Sequence, residues 1–113
     1  MRERKMAKLE RSIRGDFSEI QERIKNGILG GSMSASLEDI SYLSSGDAKC
    51  CVMVFERYSY MGGNRVSMNV TMFQNGNDDI NIVAVTAGGS QAMFFKINTW
   101  GEEAFLDKLR EIL

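Results

Sequence analysis

Histidine and proline are both absent from this 113-residue sequence, and each absence excludes a class of feature. Without histidine, the chain lacks the commonest general base near neutral pH and the commonest metal ligand of proteins. Without proline, it encodes neither proline-rich linkers nor turns made rigid by a pyrrolidine ring. We therefore expect a protein with no metal centre and no cofactor.

An excess of charge and a long apolar run are also missing. The 14 Lys/Arg and 15 Asp/Glu residues give a net charge of -1, so no overall field favours nucleic acid or an anionic membrane. No run of about 18 apolar residues predicts a membrane span. The basic start MRERKMAKLE is not followed by an apolar signal core, and we expect a cytoplasmic location.

The only two cysteines, Cys50 and Cys51, are neighbours. In a strand their side chains point to opposite faces, so they cannot easily share a metal ion. A disulfide between adjacent residues would be strained. We expect two partly buried free thiols in a reducing cytoplasm.

The length and the hydrophobic share of 43% predict one globular domain with its own core. We assign residues 1–15 to a basic N-terminal segment and residues 16–113 to a single α+β domain. Within the first segment, residues 7–13 fit a strand, but the apolar residues Met6, Leu9 and Ile13 fit a helical stripe equally well.

Residues 16–28 predict a helix. Asp16 precedes Glu19 by three residues, which is the spacing of a capping box. Gly27 is the predicted end of this helix. The apolar residues that form its stripe are Phe17, Ile20, Ile24 and Ile28.

A second helix is predicted at the C-terminus. Thr99 as the N-cap, with Glu102 three residues later, repeats the capping-box spacing, and Phe105 starts the apolar stripe. Upstream, Gly88-Gly89 closes a strand, and residues 90–97 fit a short strand or an extended connector. A phosphate cradle needs glycine amides directly at a helix N-terminus, so we interpret these glycines as a turn or bulge.

Strand patterns occupy the middle of the chain, with turn signals between them. These patterns predict an antiparallel meander. Together with the helices, the predicted fold class is α+β, an antiparallel sheet of five or six strands with an N-terminal and a C-terminal helix packed on one face. The predicted strands cover residues 32–43, 48–60, 65–73 and 79–87, and the turns lie at 44–47, 61–64 and 75–76.

The turns also predict a register. Pairing around Gly62-Gly63 sets Phe55 opposite Val70 and Met53 opposite Met72, and a one-residue slip would exchange the two faces. One predicted face is apolar and consists of Met53, Phe55, Val66, Met68, Val70, Met72, Val83 and Val85. The other consists of Glu56, Tyr58, Tyr60, Arg65, Ser67, Asn69 and Thr71, with Val52, Val54, Ile80 and Ile82 nearer its far end.

The second of these faces carries the binding or interface candidates. Amphipathic rings beside an arginine suit contact with a protein or a ligand, whereas an ordinary solvated sheet surface is the alternative. A single arginine does not make an electrostatic groove, which argues against nucleic acid as a partner. The candidates are Tyr58, Tyr60, Asn64, Arg65, Ser67 and Asn69.

Charged and methionine residues supply further candidates. Arg57 falls on the helix-covered face and needs a partner, for which we predict a structural pair with Glu38. An apolar pocket under the C-terminal helix would be lined by the adaptable side chains of the chain's methionine-rich core. The candidate lining residues are Met53, Met68, Met72 and Phe105.

The strings FERYSYMGGNRVSMNVT and TAGGSQAMFFKINTWGEEAFL resemble an uncharacterised family of small bacterial proteins, a domain of unknown function. The resemblance runs from about Gly15 onward. It implies a strand at residues 7–13 and a bacterial cytoplasmic protein, and it supplies no activity, cofactor or catalytic residue.

The order strand, helix, several strands, helix also resembles the helix-grip (START-like) plan, in which a curved sheet wraps a C-terminal helix around an apolar cavity. This chain is shorter and has one N-terminal helix where that plan often has two. A likeness at the level of fold implies no function.

Three functions follow from these features. The first is a non-enzymatic association module that forms a homodimer through an exposed apolar patch. The alternative is a carrier of a small apolar molecule or lipid in a cavity under the C-terminal helix. The third is an enzyme that uses Glu56 or Glu38 as a base. The patch of the first hypothesis consists of Val52, Val54, Ile80, Ile82 and Tyr58.

Overall fold

The computed structural model describes residues 6–31, 34–58, 65–88 and 95–113, and it contains five strands and two helices. All neighbouring strands pair antiparallel, in the order β1-β5-β4-β3-β2, so the α+β class and the antiparallel sheet are confirmed. Residues 7–13 are a strand. The elements are β1 (Ala7–Ile13), α1 (Phe17–Gly30), β2 (Ser36–Ser45), β3 (Ala48–Tyr58), β4 (Arg65–Asn75), β5 (Ile80–Gly88) and α2 (Phe95–Ile112).

Helix α1 begins as its capping residue predicts. Asp16 has an extended backbone, and its carboxylate accepts a hydrogen bond of 3.0 Å from the backbone N–H of Glu19. The apolar stripe of α1 is buried. The predicted end at Gly27 is wrong, because the helix continues to Gly30 and the N–H of Gly31 donates to the carbonyl of Gly27 at 3.0 Å.

Helix α2 begins earlier than its sequence predicts. It starts at Phe95, so Thr99 lies inside the helix and is not its N-cap. The predicted extended connector is therefore wrong over residues 95–97. A Thr-x-x-Glu spacing also fits a helix interior, where it makes no cap. Within the described residues, neither helix is long and apolar enough to cross a membrane.

Side chains on the sheet alternate between a buried face and a second face. We call the buried set the core face, and its apolar members belong to one hydrophobic cluster with the buried apolar side chains of both helices. Its buried members are Ala7, Leu9, Cys51, Met53, Phe55, Val66, Met68, Val70, Met72, Gln74, Ile80, Ile82, Ala84 and Thr86. The second face consists of the alternate residues, which include Cys50, Val52, Val54, Glu56, Tyr58, Arg65, Ser67, Asn69, Thr71, Phe73, Asn81, Val83, Val85 and Ala87.

The register between β3 and β4 differs from the predicted one by an even step. Phe55 pairs with Met68 and Met53 pairs with Val70, which is two residues from the pairing around Gly62-Gly63. An even shift keeps each side chain on its face. The predicted faces of β3 and β4 are therefore correct although the predicted partners are wrong.

The register between β4 and β5 differs by an odd step, so the predicted face of β5 is wrong. A two-residue turn at Asn75-Gly76 would pair Met72 with Asp79, but the structure pairs Met72 with Ile82. Strand β4 runs through Asn75, and the turn that follows has Gly76 at φ 61° and a 3.1 Å hydrogen bond from the N–H of Asp78 to the carbonyl of Asn75.

Because of this longer turn, the two alternate sets of β5 side chains lie on the opposite faces from those predicted. Ile80 and Ile82 are buried on the core face, whereas Val83 and Val85 are partly exposed on the second face. The predicted patch therefore loses its two isoleucines and gains two valines.

Helix α2 contacts β5, β4, β1 and α1, and α1 contacts β2. The two helices pack closely at Gly27. A Cβ atom placed on Gly27 would lie 2.6 Å from Cδ1 and 2.7 Å from Cγ1 of Ile112. The missing side chain of Gly27 thus sets how near α2 can lie to α1.

The change Gly27→Ala should lower the free energy of unfolding by about 1 kcal/mol, because the overpacking penalty exceeds the helix propensity that alanine adds. Gly30→Ala is the matched control, since a Cβ there meets nothing within 4 Å, and it should raise that free energy by about 0.5 kcal/mol. Urea denaturation measures both. Equal stabilisation by the two changes would show that the helices do not approach at Gly27.

Candidate functional site on the second face of the sheet

The second face carries two apolar columns on either side of a polar central strand. Val52 of β3 and Val83 of β5 both pair with Thr71 of β4. In the next row, Val54 and Val85 both pair with Asn69. All four valines are partly exposed. Because β4 is the middle strand of the sheet, one valine column lies on each side of it, on a strand that pairs directly with β4.

One end of this face has exposed apolar side chains. Leu43 of the edge strand is 64% exposed, and Phe73 is 42% exposed. Cys50 pairs with both of them across the sheet. Together they line a shallow groove of about 160 Å³, whose full lining is Leu43, Ser44, Ser45, Ala48, Lys49, Cys50 and Phe73.

The opposite end has an aromatic ring and a charge network. Tyr58 pairs with Arg65 and is 58% exposed. The Arg65 guanidinium carbon lies 5.7 Å from the centroid of the Tyr58 ring, and Arg65 forms a salt bridge of 2.5 Å with Glu56. Arg65 is also 3.9 Å from a carboxylate oxygen of Glu38, which accepts a 2.5 Å hydrogen bond from the Ser36 hydroxyl.

Glu38 reaches this end of the second face because the register of β2 is irregular. The pairing of β2 with β3 shifts between Leu37 and Asp39, so Glu38 is the extra residue of the bulge. Both carboxylates considered as bases, Glu38 and Glu56, thus contact the same arginine.

Arg57 occupies the core face, as its position in β3 predicts. Its guanidinium carbon lies 4.6 Å from the centroid of the Phe105 ring of α2, a cation–π geometry. Burial lowers the pKa of the Arg57 guanidinium from its ordinary value. The predicted pair with Glu38 is wrong: the ion pair of Glu38 in the described part of the chain is with Arg65.

The structure brings together four of the six binding or interface candidates. Tyr58, Arg65, Ser67 and Asn69 share the second face, where the Thr71 hydroxyl donates to the Asn69 side-chain oxygen at 3.1 Å. Tyr60 and Asn64 lie outside the described residues. The candidate pocket lining is fully buried in the core cluster, and it comprises Met53, Met68, Met72 and Phe105.

Sequence reasoning missed Leu43 and Phe73 as site residues. Phe73 could have been found, because it continues the alternation of Asn69 and Thr71 on β4. Leu43 had no such signal, since a strand at the edge of the sheet can expose side chains on both of its faces. Tyr42, its neighbour on the core face, is 62% exposed as well.

The adjacent cysteines lie on opposite faces and in different surroundings. Cys50 is partly exposed beside the groove, whereas Cys51 is fully buried in the core. Burial raises the pKa of the Cys51 thiol, and the neighbouring Cys50 raises it further. The thiolate of Cys51 is therefore disfavoured.

A model of a family of unknown function, DUF6054, matches residues 6–113 of the chain. No curated protein and no solved structure matches the chain.

Alkylation should separate the two thiols. With iodoacetamide at mildly alkaline pH, Cys50 should react at least about tenfold faster than Cys51, because burial both blocks access to Cys51 and raises its pKa. Peptide mass mapping over time measures the two rates. In urea the rates should converge, and equal rates in the folded protein would contradict the placement of Cys51 in the core.

Proposed function

The chain belongs to this family of unknown function, and we propose from its geometry that it is an association module that forms a homodimer through the second face of its sheet. We infer that both helices cover the core face and leave the second face to a second copy. The observation that carries the proposal is the pair of partly exposed valine columns on either side of β4.

Three contacts support the placement of the helices. Gln21 of α1 donates a 2.7 Å hydrogen bond to the hydroxyl of Tyr42, and Lys49 lies 5.6 Å from the ring centroid of Phe17. Arg57 lies over Phe105 of α2. The alternation along β2 and β3 assigns all three sheet residues to the core face, namely Tyr42, Lys49 and Arg57. A sheet with helices on one face has its other face free for contact with a partner.

A second copy is the occupant that this surface fits best. A twofold axis makes each patch contact an identical patch, so the surface must be complementary to itself. Because β4 is the middle strand, a twofold axis passing over β4 places the valine columns of one copy over those of the other. The same axis places the polar residues of β4 over β4 of the second copy. Packed sheets with such aligned strands form the core of a β-sandwich.

The area of the face also suits a dimer. Five strands spaced about 4.8 Å apart, each with about nine residues at about 3.3 Å, cover roughly 700 Å² in projection. A standard stable interface buries about 800 Å² on each partner. A full face-to-face contact is therefore large enough to hold two copies together.

Native mass spectrometry distinguishes this function from the alternatives. Two bare chains in one ion support the association module. One chain with an added mass of a few hundred daltons supports carriage of an apolar small molecule or lipid under α2. The enzyme hypothesis gains support only from turnover that Glu56→Gln or Glu38→Gln abolishes.

The change Val85→Asp should dissociate the dimer, since the contact would bury an unpaired carboxylate at a cost of about 3 kcal/mol, which raises Kd about 100-fold. Tyr58→Asp, at an exposed position, should act in the same direction. Sedimentation equilibrium measures Kd, and circular dichroism checks the fold.

The matched control is Ser18→Asp, which adds the same charge to an exposed position of α1 and should leave Kd unchanged. The proposal is wrong if the unchanged protein is a monomer at micromolar concentration, or if all three variants dimerise equally.

A further inference from the structure

We propose that the two copies pack with their β4 strands antiparallel, so that Tyr58 of each copy enters the groove between Leu43 and Phe73 of the other. This inference rests on the proposed homodimer and adds the orientation of the copies and the contact that anchors them. The observations behind it are the charge network at one end of the second face and the apolar groove at the other.

Two orientations bring valine columns onto valine columns. The twofold axis between the sheets can run along the strands or across them. With the axis along the strands, β4 lies over β4 of the second copy in the same direction, and each residue of β4 faces itself. Arg65 would then face Arg65 of the second copy, and like charges placed opposite each other destabilise a contact.

With the axis across the strands, the charges are separated. We place the axis between the two rows of valines, so that the axis carries Val52 of β3 onto the position of Val54 and Val54 onto the position of Val52. On β4 the same axis lies between Asn69 and Thr71, because these residues pair with Val54 and Val52. Arg65 then faces Asn75 of the second copy, an uncharged residue at the opposite end of the strand.

The same axis keeps the apolar columns in contact. Val52 lies over Val54 of the second copy, and Val83 lies over Val85. Strand β3 faces β3 and strand β5 faces β5, so no valine has to contact the polar side chains of β4. The orientation across the strands thus retains the apolar contact and removes the repulsion between arginines.

This orientation brings Tyr58 to the groove. Tyr58 and Ala48 are the two ends of β3, and the axis places the first over the second. Ala48 lines the groove together with Leu43 and Phe73. The groove measures about 160 Å³, and a protein cavity of about 150 Å³ holds a benzene ring.

The Tyr58 side chain and the groove are chemically complementary. The groove offers apolar side chains to the ring, and its lining includes Ser44 and Ser45, a residue type whose hydroxyl group can hydrogen-bond a phenol. Arg65 lies over the Tyr58 ring and is itself held by Glu56. A ring held in place before association loses less side-chain entropy on binding, which suits an aromatic anchor.

The variant Ser67→Cys provides a cross-linking site that distinguishes the two orientations of the copies, and it changes neither Tyr58 nor the groove. With the axis across the strands, position 67 faces Phe73 of the second copy and lies next to the native thiol of Cys50 there. With the axis along the strands, position 67 faces position 67. A short bismaleimide that spans about 10 Å, the spacing of packed sheets, can join either pair.

Peptide mapping of the cross-linked dimer should find the link between position 67 and Cys50, and Ser67→Cys with Cys50→Ser should abolish it. A dimer linked through the two copies of position 67, or a dimer without a link to Cys50, overturns the inference and leaves the proposed function intact. A protein that is monomeric by sedimentation overturns both.

A double-mutant cycle tests the anchor. Tyr58→Ala and Leu43→Ala should each raise the Kd of the dimer at least about tenfold. The double variant should raise Kd by clearly less than the product of the two single fold-changes, because both changes remove the same contact. Independent effects of the two changes would show that Tyr58 does not enter the groove at Leu43.

Discussion

Hydrogen bonding of β4 to both of its neighbours is the constraint on which the rest of the fold depends. Strand β4 is the middle strand, and its eleven residues alternate between buried side chains, all apolar except Gln74, and exposed or partly exposed ones. Pairing transmits that alternation, because residues opposite each other in an antiparallel pair point to the same face. Once Met68 and Val70 are buried, Phe55 and Ala84 must be buried beside them, and Val54 and Val85 must lie on the second face. The core and the proposed contact surface are thus two results of one hydrogen-bonded ladder.

The sequence is a good guide to the faces of β3 and β4, where the register differs from the predicted one by an even step, and a poor guide to the face of β5, where it differs by an odd step. From Val66 to Met72, strand β4 has apolar residues at every second position and small polar ones between, so its faces can be read directly. Strand β5 reads INIVAVTAG, with apolar residues in both sets, and its face depends on the length of the preceding turn. The Asn-Gly pair favours a two-residue turn, but Gln74 is buried and its side-chain amide donates to the carbonyl of Asp78 at 2.8 Å, within the longer turn that forms instead. A single hydrogen-bonded turn therefore decided whether isoleucines or valines line the second face.

The candidate site was predictable in part for the same reason. The alternation of β3 and β4 predicts that Tyr58 and Arg65 share a face, and the structure pairs them. The partner of Arg57 was not predictable, because it is a ring of α2 that reaches the sheet only through tertiary packing. The bulge in β2 moves Glu38 away from the predicted pair with Arg57 and towards Arg65, because one extra residue changes the face of a side chain and leaves no clear mark in the sequence. Local rules thus located the surface, and long-range packing decided which charges meet on it.

The place of β1 in the sheet has a consequence for the order in which the protein can assemble. Ala7 pairs with Thr86, so more than half of the sequence separates the first strand from its partner. During synthesis the hairpins of β2, β3, β4 and β5 can close between near neighbours, whereas β1 has no partner until β5 has been made. Until then Leu9, buried in the finished protein, stays in contact with water, and its hydrophobic contribution comes only when the loop that includes α1 and the other strands closes. Of the five strands of this sheet, β1 therefore waits longest for its partner to be synthesised.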